Sequence, residues 1–203
     1  ITVEGRADHA GTTPMDRRAD ALVAASQLVL DIRQRAAEQA KTPGHFAATV
    51  GEFRIEPNAA NVVPSKVVLL IDGRAEIRSD MEDFLAWIDG EVKIIAADYG
   101  VTINTPVRVS DNMPTPGAPV LLETLERACD TVGAKHRRMA SGAGHDTAWI
   151  AKVAPAAMIF VPCKEGRSHC AEEWAENDDI AMGAAVLFEA VRDMDKNLKQ
   201  NRE

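Results

Sequence analysis

The apolar residues of this chain change their spacing in a definite order, and that order restricts the folds open to it. Ile1-Thr2-Val3-Glu4 is a short β-type run, after which a helical face repeats through Leu22, Ala25 or Ser26, Val29 and Ile32, to about Ala40. Phe46 to Ile55, interrupted by Gly51, and Val67 to Ile71 return to strand character. Phe84, Ile88, Val92 and Ile95 then fall on one face of a second helix with Gly100 beyond its end, and Val101 to Val109 reads as a fourth strand. Asp16 is the expected cap of the first helix, and Ser79-x-x-Glu82 matches a capping box before the second. The order β-α-β-β-α-β predicts a ferredoxin-like α+β sandwich: two helices cover one face of an antiparallel sheet, and the other face or the outer edge is left for a second subunit.

Asn112-Met113-Pro114-Thr115-Pro116-Gly117 breaks either regular structure and is the strongest linker signal, dividing the chain into residues 1–112 and 113–203. The second part is expected to hold a helix burying Val120, Leu121, Leu125, Ala128 and Val132. A short helix from Thr147 follows, and the wholly apolar run Ala156 to Val161 reads as a strand covered on both faces. A final helix from about Asp179 to Met194 presents Ile180, Val186, Leu187, Val191 and Met194. With one convincing core strand, this part reads as a piece of a larger α/β domain.

A net charge of −8 with scattered basic residues disfavours a nucleic-acid groove or an anionic membrane surface, so an anionic ligand has to be read by a few local groups. No apolar run approaches the ~20 residues of a membrane span. Cys129, Cys163 and Cys170 follow no CxxC spacing, which argues against a disulfide framework or a thiolate zinc site and suits a reducing cytoplasm. Because the chain opens on Ile1 inside a strand-like run, it is expected to begin within a longer protein.

Four stretches carry candidate chemistry. His9 stands directly after a strand and before the turn Gly11-Thr12-Thr13-Pro14, exposed on a rigid support, and suits either ligand contact or an ordinary loop. Pro57-Asn58-x-x-Asn61-Val62-Val63-Pro64 and Asp72-Gly73-Arg74 bring amides and a guanidinium to the ends of neighbouring strands. Such a set holds a carboxylate through paired charge-assisted hydrogen bonds, or else stabilises a loop and a surface ion pair. Ser141-Gly142-Ala143-Gly144-His145-Asp146 is a small-residue turn whose backbone N–H groups face an anion if a helix follows, although it lacks the spacing and the Lys of a phosphate loop. His169 lies beyond the apolar strand, where ligands gather in α/β sheets, and is a candidate metal ligand, but one histidine cannot hold a metal alone.

In this order, HAGTTPM, PNxxNVVP with DGR, SGAGHD and VPCxxGxSHxxxE resemble the amidase, hydantoinase/carbamoylase family of aminoacylase-like dinuclear metallohydrolases. The resemblance implies a ferredoxin-like lid and dimerisation domain over residues 1–112, joined to the C-terminal portion of an α/β metallohydrolase catalytic domain over 113–203. It implies hydrolysis of the ureido C–N bond of N-carbamoyl-L-amino acids, allantoate or N-carbamoyl-β-alanine, with two divalent ions as cofactors, zinc or manganese, with cobalt or nickel as alternatives. His9 is then the catalytic residue reaching from the lid, commonly into the partner's site. Asn61, Arg74, Gly144 and His145 bind substrate, and His169 is a metal ligand. The implied partners are a small anionic ureido substrate and a second copy of the chain through the lid. The other metal ligands belong to a segment outside this sequence, so the chain alone is expected to be inactive. A non-catalytic dimerisation module and an aminoacylase or peptidase are the competing readings.

Overall fold

A computed structural model describes residues 1–200, with side chains to residue 196. The chain divides into two compact units, one of Ile1–Pro114 with Ala140–Gly142, the other of Thr115–Met139 with the residues from Ala143 onward.

The first unit is a four-stranded antiparallel sheet in the order β2-β3-β1-β4, built from β1 (Thr2–Glu4), β2 (Phe46–Glu56), β3 (Lys66–Ala75) and β4 (Thr102–Ile103). Two helices, α1 (Ala21–Gln39) and α2 (Arg78–Tyr99), link the strands and pack on the sheet. Val3, Val67 and Leu69 from the sheet meet Leu28 and Ile32 of α1 and Phe84, Ile88, Val92 and Ile95 of α2, all buried. The spacing of the last four residues in the sequence marks this face, and Gly100 closes the helix at φ 62°, a left-handed conformation that glycine adopts at little cost. In β3 the two faces differ: Val67 and Leu69 point to the helices, while Leu70, Asp72 and Arg74 are exposed on the opposite side. β2 changes parity midway. Phe46, Ala48 and Val50 are covered before Gly51, Phe53 and Ile55 after it, and the ladder shifts by one residue between Val50 and Glu52. Gly51 is thus the extra residue of a bulge that keeps one apolar face continuous.

Several local expectations are corrected. Asp16 does not cap α1: Met15–Arg17 forms a 3-10 turn, and Asp20 accepts hydrogen bonds from the Leu22 and Val23 amides at 2.9 and 3.2 Å. The buried face of α1 includes Ala21, Ala24, Ala25, Leu28 and Ala36, so small residues let the helix lie close to the sheet, and Leu28 takes the place expected of Val29. The Ser79–Glu82 capping box does not form, because α2 starts at Arg78 without a side-chain cap and Arg78 draws Glu82 into an i,i+4 pair at 2.9 Å. β4 is two residues long rather than nine. Three-residue β1 offers it few partners, and Pro106 brings no N–H to extend a ladder.

Arg78 also grips Asp111 through its two terminal guanidinium nitrogens and Arg108 adds a third contact, which holds the Asp111 carboxyl down at about 2. Since this value lies below the ordinary carboxylate pKa of about 4, the pair contributes at neutral pH and is lost only as pH falls through about 2. Carboxyl NMR titration is expected to show Asp111 ionised throughout the range in which other aspartates protonate. A midpoint near the ordinary value would mean the pair is not formed.

The second unit pairs α3 (Pro119–Val132) with α5 (Asn177–Gln200), with the four-residue α4 (Thr147–Ile150) between them in sequence. Their seam is narrow: Thr124 and Ala128 of α3 and Val186 and Ala190 of α5 are buried. Val120, Ile180, Leu187 and Val191, expected inside, are more than half exposed. The run Ala156 to Val161 forms no ladder with any described residue, which corrects the strand expected there. It lies along α5 instead, where a Cβ at Gly183 would come within 2.6 Å of the Val161 side chain, so glycine at 183 permits the approach. No described helix is long and apolar enough to cross a membrane.

Candidate functional site

His9 is placed by backbone pairing. It forms an antiparallel bridge with Val62, flanked by hydrogen bonds from Ala10 N–H to the Asn61 carbonyl at 2.9 Å and from Val63 N–H to the Asp8 carbonyl at 2.8 Å. The structure therefore brings the exposed side chains of His9 and Asn61 onto adjacent paired segments. The Gly11 N–H donates to His9 Nδ1 at 3.0 Å. A nitrogen that accepts carries no proton, so the neutral ring keeps its hydrogen on Nε2 and presents it outward as a donor.

The loop behind His9 is held by a residue that the sequence reading missed. Arg18, half-buried, donates through Nη2 to the Ala10 carbonyl at 2.7 Å and through Nη2 and Nε to the Thr13 carbonyl at 2.9 and 3.1 Å. One guanidinium thus satisfies the inner carbonyls of the Ala10–Thr13 turn and fixes the base from which His9 projects. Nothing in the run Asp16-Arg17-Arg18-Ala19 distinguishes this arginine from its neighbour, since only the fold turns Arg18 into the loop.

Arg74 lies elsewhere. Because β3 extends to Ala75 rather than stopping near Ile71, the Asp72-Gly73-Arg74 stretch is inside the strand, paired in turn with Thr49, Ala48 and Ala47 of β2. Asp72 and Arg74 are two apart and share the sheet face away from the helices. Arg74 donates from Nε to Asp72 Oδ1 at 3.0 Å and from Nη2 to Oδ2 at 2.7 Å, and this pairing lowers the Asp72 carboxyl and raises the guanidinium. Nη1 donates to the Gly142 carbonyl at 2.8 Å. Gly142 is pressed against His45, since a Cβ there would stand 2.4 Å from His45 Nε2. His45 itself is tied to the end of β3 by its N–H to the Glu76 carboxylate at 2.9 Å.

The separation of Asn61 from Arg74 corrects the expectation that one chain brings amide and guanidinium together. Lys66 to Arg74 alone spans about 26 Å of extended strand, and Asn61 precedes Lys66. A single small carboxylate cannot touch both within one copy.

In the second unit, Gly144 is exposed with open space at its α-carbon, and the half-buried His145 ring sits 5.7 Å from that of Phe160. The helix after this turn has only four residues and no side-chain cap, so it is no anion site of the kind a long helix start provides. His169 is exposed at φ 58°, its N–H donating to Glu173 Oε2 at 2.9 Å while the Ser168 hydroxyl donates to Oε1 of the same carboxylate at 3.3 Å. Lys164 N–H to the Trp174 carbonyl, 2.7 Å, closes the loop at its base. The carboxylate of Glu173 holds His169 in a left-handed conformation that costs a non-glycine residue roughly 1–2 kcal/mol. No group of three His, Cys, Asp or Glu side chains among the described residues could hold a metal ion, so these residues do not form a metal centre by themselves. The three cysteines are free, and burial pushes the Cys129 thiol up.

The N-carbamoyl-L-amino-acid amidohydrolase of Paenarthrobacter aurescens is 34% identical over 196 residues, covering 97% of this chain and 47% of that protein. The allantoate amidohydrolase of Escherichia coli is 33% identical over 188 residues, 92% of this chain and 44% of that protein. A crystal structure of an amidase of the hydantoinase/carbamoylase family from Burkholderia multivorans superposes with a TM-score of 0.84 at 36% identity, covering 93% of this chain and 45% of that one. The chain spans about half the length of the curated relatives it matches. Residues 10–193 match peptidase family M20/M25/M40, and this mixed α/β chain, with its four-stranded antiparallel sheet, belongs to that family.

Proposed function

We propose that the chain is the lid and C-terminal part of a dimeric, metal-dependent amidohydrolase that cleaves the ureido C–N bond of N-carbamoyl-L-amino acids or a related ureido acid such as allantoate or N-carbamoyl-β-alanine. Residues 1–112 are read as a ferredoxin-like lid, supported by the order β2-β3-β1-β4 with both connecting helices packed on the sheet, and residues 113–203 as part of the catalytic domain. The observation that carries the reading is the fixed pairing of His9 with the Asn61 segment, in a chain that belongs to the M20 family.

In this scheme Arg74 and Asn61 hold the substrate carboxylate and thereby place the ureido carbon. Their separation along β3 supports a site shared between two copies of the chain, with Arg74 from one and Asn61 and His9 from the other. The His9 Nε2–H is a preorganised donor for the carbonyl oxygen as negative charge develops on it. A water oxygen adds to the carbonyl carbon and the bond from that carbon to the amino-acid nitrogen breaks. The nitrogen takes up a proton to leave the free amino acid, and the carbamic acid separates into carbon dioxide and ammonia. Gly144 and His145 are assigned to the same pocket. His169 is assigned as one ligand of the two divalent ions, zinc or manganese with cobalt or nickel as alternatives, and most of the remaining ligands are assigned to residues outside this sequence. A cytoplasmic setting suits the three free thiols.

The full-length protein supplied with divalent metal is expected to release free amino acid from an N-carbamoyl-L-amino acid at least about ten-fold faster than from its N-acetyl counterpart. Turnover of the N-acetyl compound alone moves the assignment to an aminoacylase, and turnover of no ureido or acyl substrate leaves a dimerisation module. His169→Ala is expected to lower metal content by elemental analysis, and unchanged stoichiometry rejects the ligand role.

A further inference from the structure

The turn that carries His9 spends each of its backbone donors. The Ala10 N–H goes to the Asn61 carbonyl, and the Thr12 and Thr13 N–H groups both go to the His9 carbonyl at 3.3 and 3.1 Å. The Gly11 N–H goes instead to a side chain, donating to Nδ1 of the His9 ring at 3.0 Å. A Cβ at position 11 would stand 3.3 Å from His9 Cε1, so glycine lets the ring fold this closely over its own backbone. The Gly11 nitrogen belongs to the same peptide unit as the Ala10 carbonyl, and to that carbonyl Arg18 Nη2 donates at 2.7 Å. A trans peptide is planar with its C=O and N–H pointing opposite ways, so a guanidinium that fixes the oxygen on one side fixes the hydrogen on the other. A cationic donor on the oxygen also polarises the amide and makes its N–H a stronger donor. The two bonds from Arg18 to the Thr13 carbonyl, at 2.9 and 3.1 Å, hold the guanidinium itself in place.

We propose that Arg18 is a positioning residue of the ureido-cleaving site, setting the tautomer and direction of the His9 ring through the single peptide unit between Ala10 and Gly11. The inference rests on the assignment of His9 as donor to the ureido carbonyl. A neutral imidazole left to itself carries its proton on either nitrogen and turns about its side-chain bonds. Here the Gly11 N–H occupies Nδ1, which leaves Nε2–H as the outward donor and holds it in one direction. Without Arg18 the peptide unit is free to rotate, Nδ1 loses its donor, and the ring presents the wrong nitrogen or points away. Arg6 ties the same loop, from Nε to the Asp8 carboxylate at 2.7 Å and from Nη2 to the Arg17 carbonyl at 2.8 Å, but neither bond reaches the Ala10–Gly11 unit. The two arginines therefore separate control of the ring from general bracing of the loop.

Ring-nitrogen NMR of the full-length protein tests this without turnover, the His9 signals being those that vanish in His9→Ala. The unsubstituted protein is expected to show the pure Nε2–H pattern, with Nδ1 shifted as a hydrogen-bond acceptor. Arg18→Met is expected to show an averaged pattern, and Arg6→Met to keep the pure one. In turnover of an N-carbamoyl-L-amino acid, Arg18→Met is expected to lower kcat at least about ten-fold with KM changed less than about two-fold, and to cost nothing further once His9 is alanine. The proposal is overturned if His9 of the unsubstituted protein shows an Nδ1–H or averaged pattern, a result that needs no variant to fold. It is equally overturned if Arg18→Met keeps the pure pattern, if Arg6→Met disturbs it as much, or if Arg18→Met still lowers kcat in the His9→Ala protein. Unchanged kcat in His9→Ala alone would sink the donor assignment instead, while the ring pattern still decides whether Arg18 sets the tautomer.

Discussion

Arg74→Ala is expected to raise KM for an N-carbamoyl-L-amino acid by about 100-fold, because a two-pronged charge-assisted grip on a carboxylate contributes roughly 3 kcal/mol. Metal content should stay at the level of the unsubstituted protein. The Asp72 carboxylate occupies the same fork at 2.7 and 3.0 Å, so the substrate has to displace or share it, and Arg74→Lys, which loses the planar pair, is expected to recover little. His9→Ala should instead lower kcat, since its Nε2–H is assigned to charge that appears only in the transition state. The decisive measurement mixes the two variants. If each site takes Arg74 from one copy and His9 with Asn61 from the other, a hybrid dimer holds one site with both residues intact and one with neither. Equal mixing with free exchange then restores about one quarter of the unsubstituted activity. No gain above the separate variants would place all three residues in one copy, contrary to the strand geometry.

Phe84→Ala is expected to destabilise the first unit by about 3–5 kcal/mol, the range for truncating a fully buried aromatic side chain. Phe84 is 1% exposed, meets the Phe46 ring edge-on at 5.2 Å and stacks on Trp87 at 5.8 Å, so its loss empties the junction between α2 and the first residue of β2. Typical domains are stable by only about 5–15 kcal/mol, so the variant sits near the threshold of unfolding. Chemical denaturation reads the loss. A change below about 1 kcal/mol would mean that α2 does not pack on the sheet as described.

The residues behind these two predictions were not equally legible. Phe84, Ile88, Val92 and Ile95 are large and spaced at one helical turn, so α2 announces its buried face. The alanines of α1 do not: their small side chains mark close approach, which a hydrophobicity pattern underweights, and the face shifts from Val29 to Leu28. Asp72-Gly73-Arg74 has little strand propensity, yet β2 carries it into the ladder, which is how Arg74 ends far from Asn61. The apolar run Ala156 to Val161 has the composition of a strand but finds no ladder partner among the described residues, and pairing is not a property of the run itself. His9, Asn61, Arg74 and His169 stand out in the sequence through their motifs. Arg18 does not, because what singles it out is the set of carbonyls it meets.

The parity change in β2 bears on how this fold can drift in length. Losing or gaining a single residue elsewhere in the strand would turn every side chain beyond that point through to the wrong surface. At position 51 the outcome differs: with the glycine gone, Val50 and Glu52 become ordinary neighbours, and Phe53 and Ile55 still face the helices. The longest strand of the sheet thus carries a built-in place where one residue can come or go.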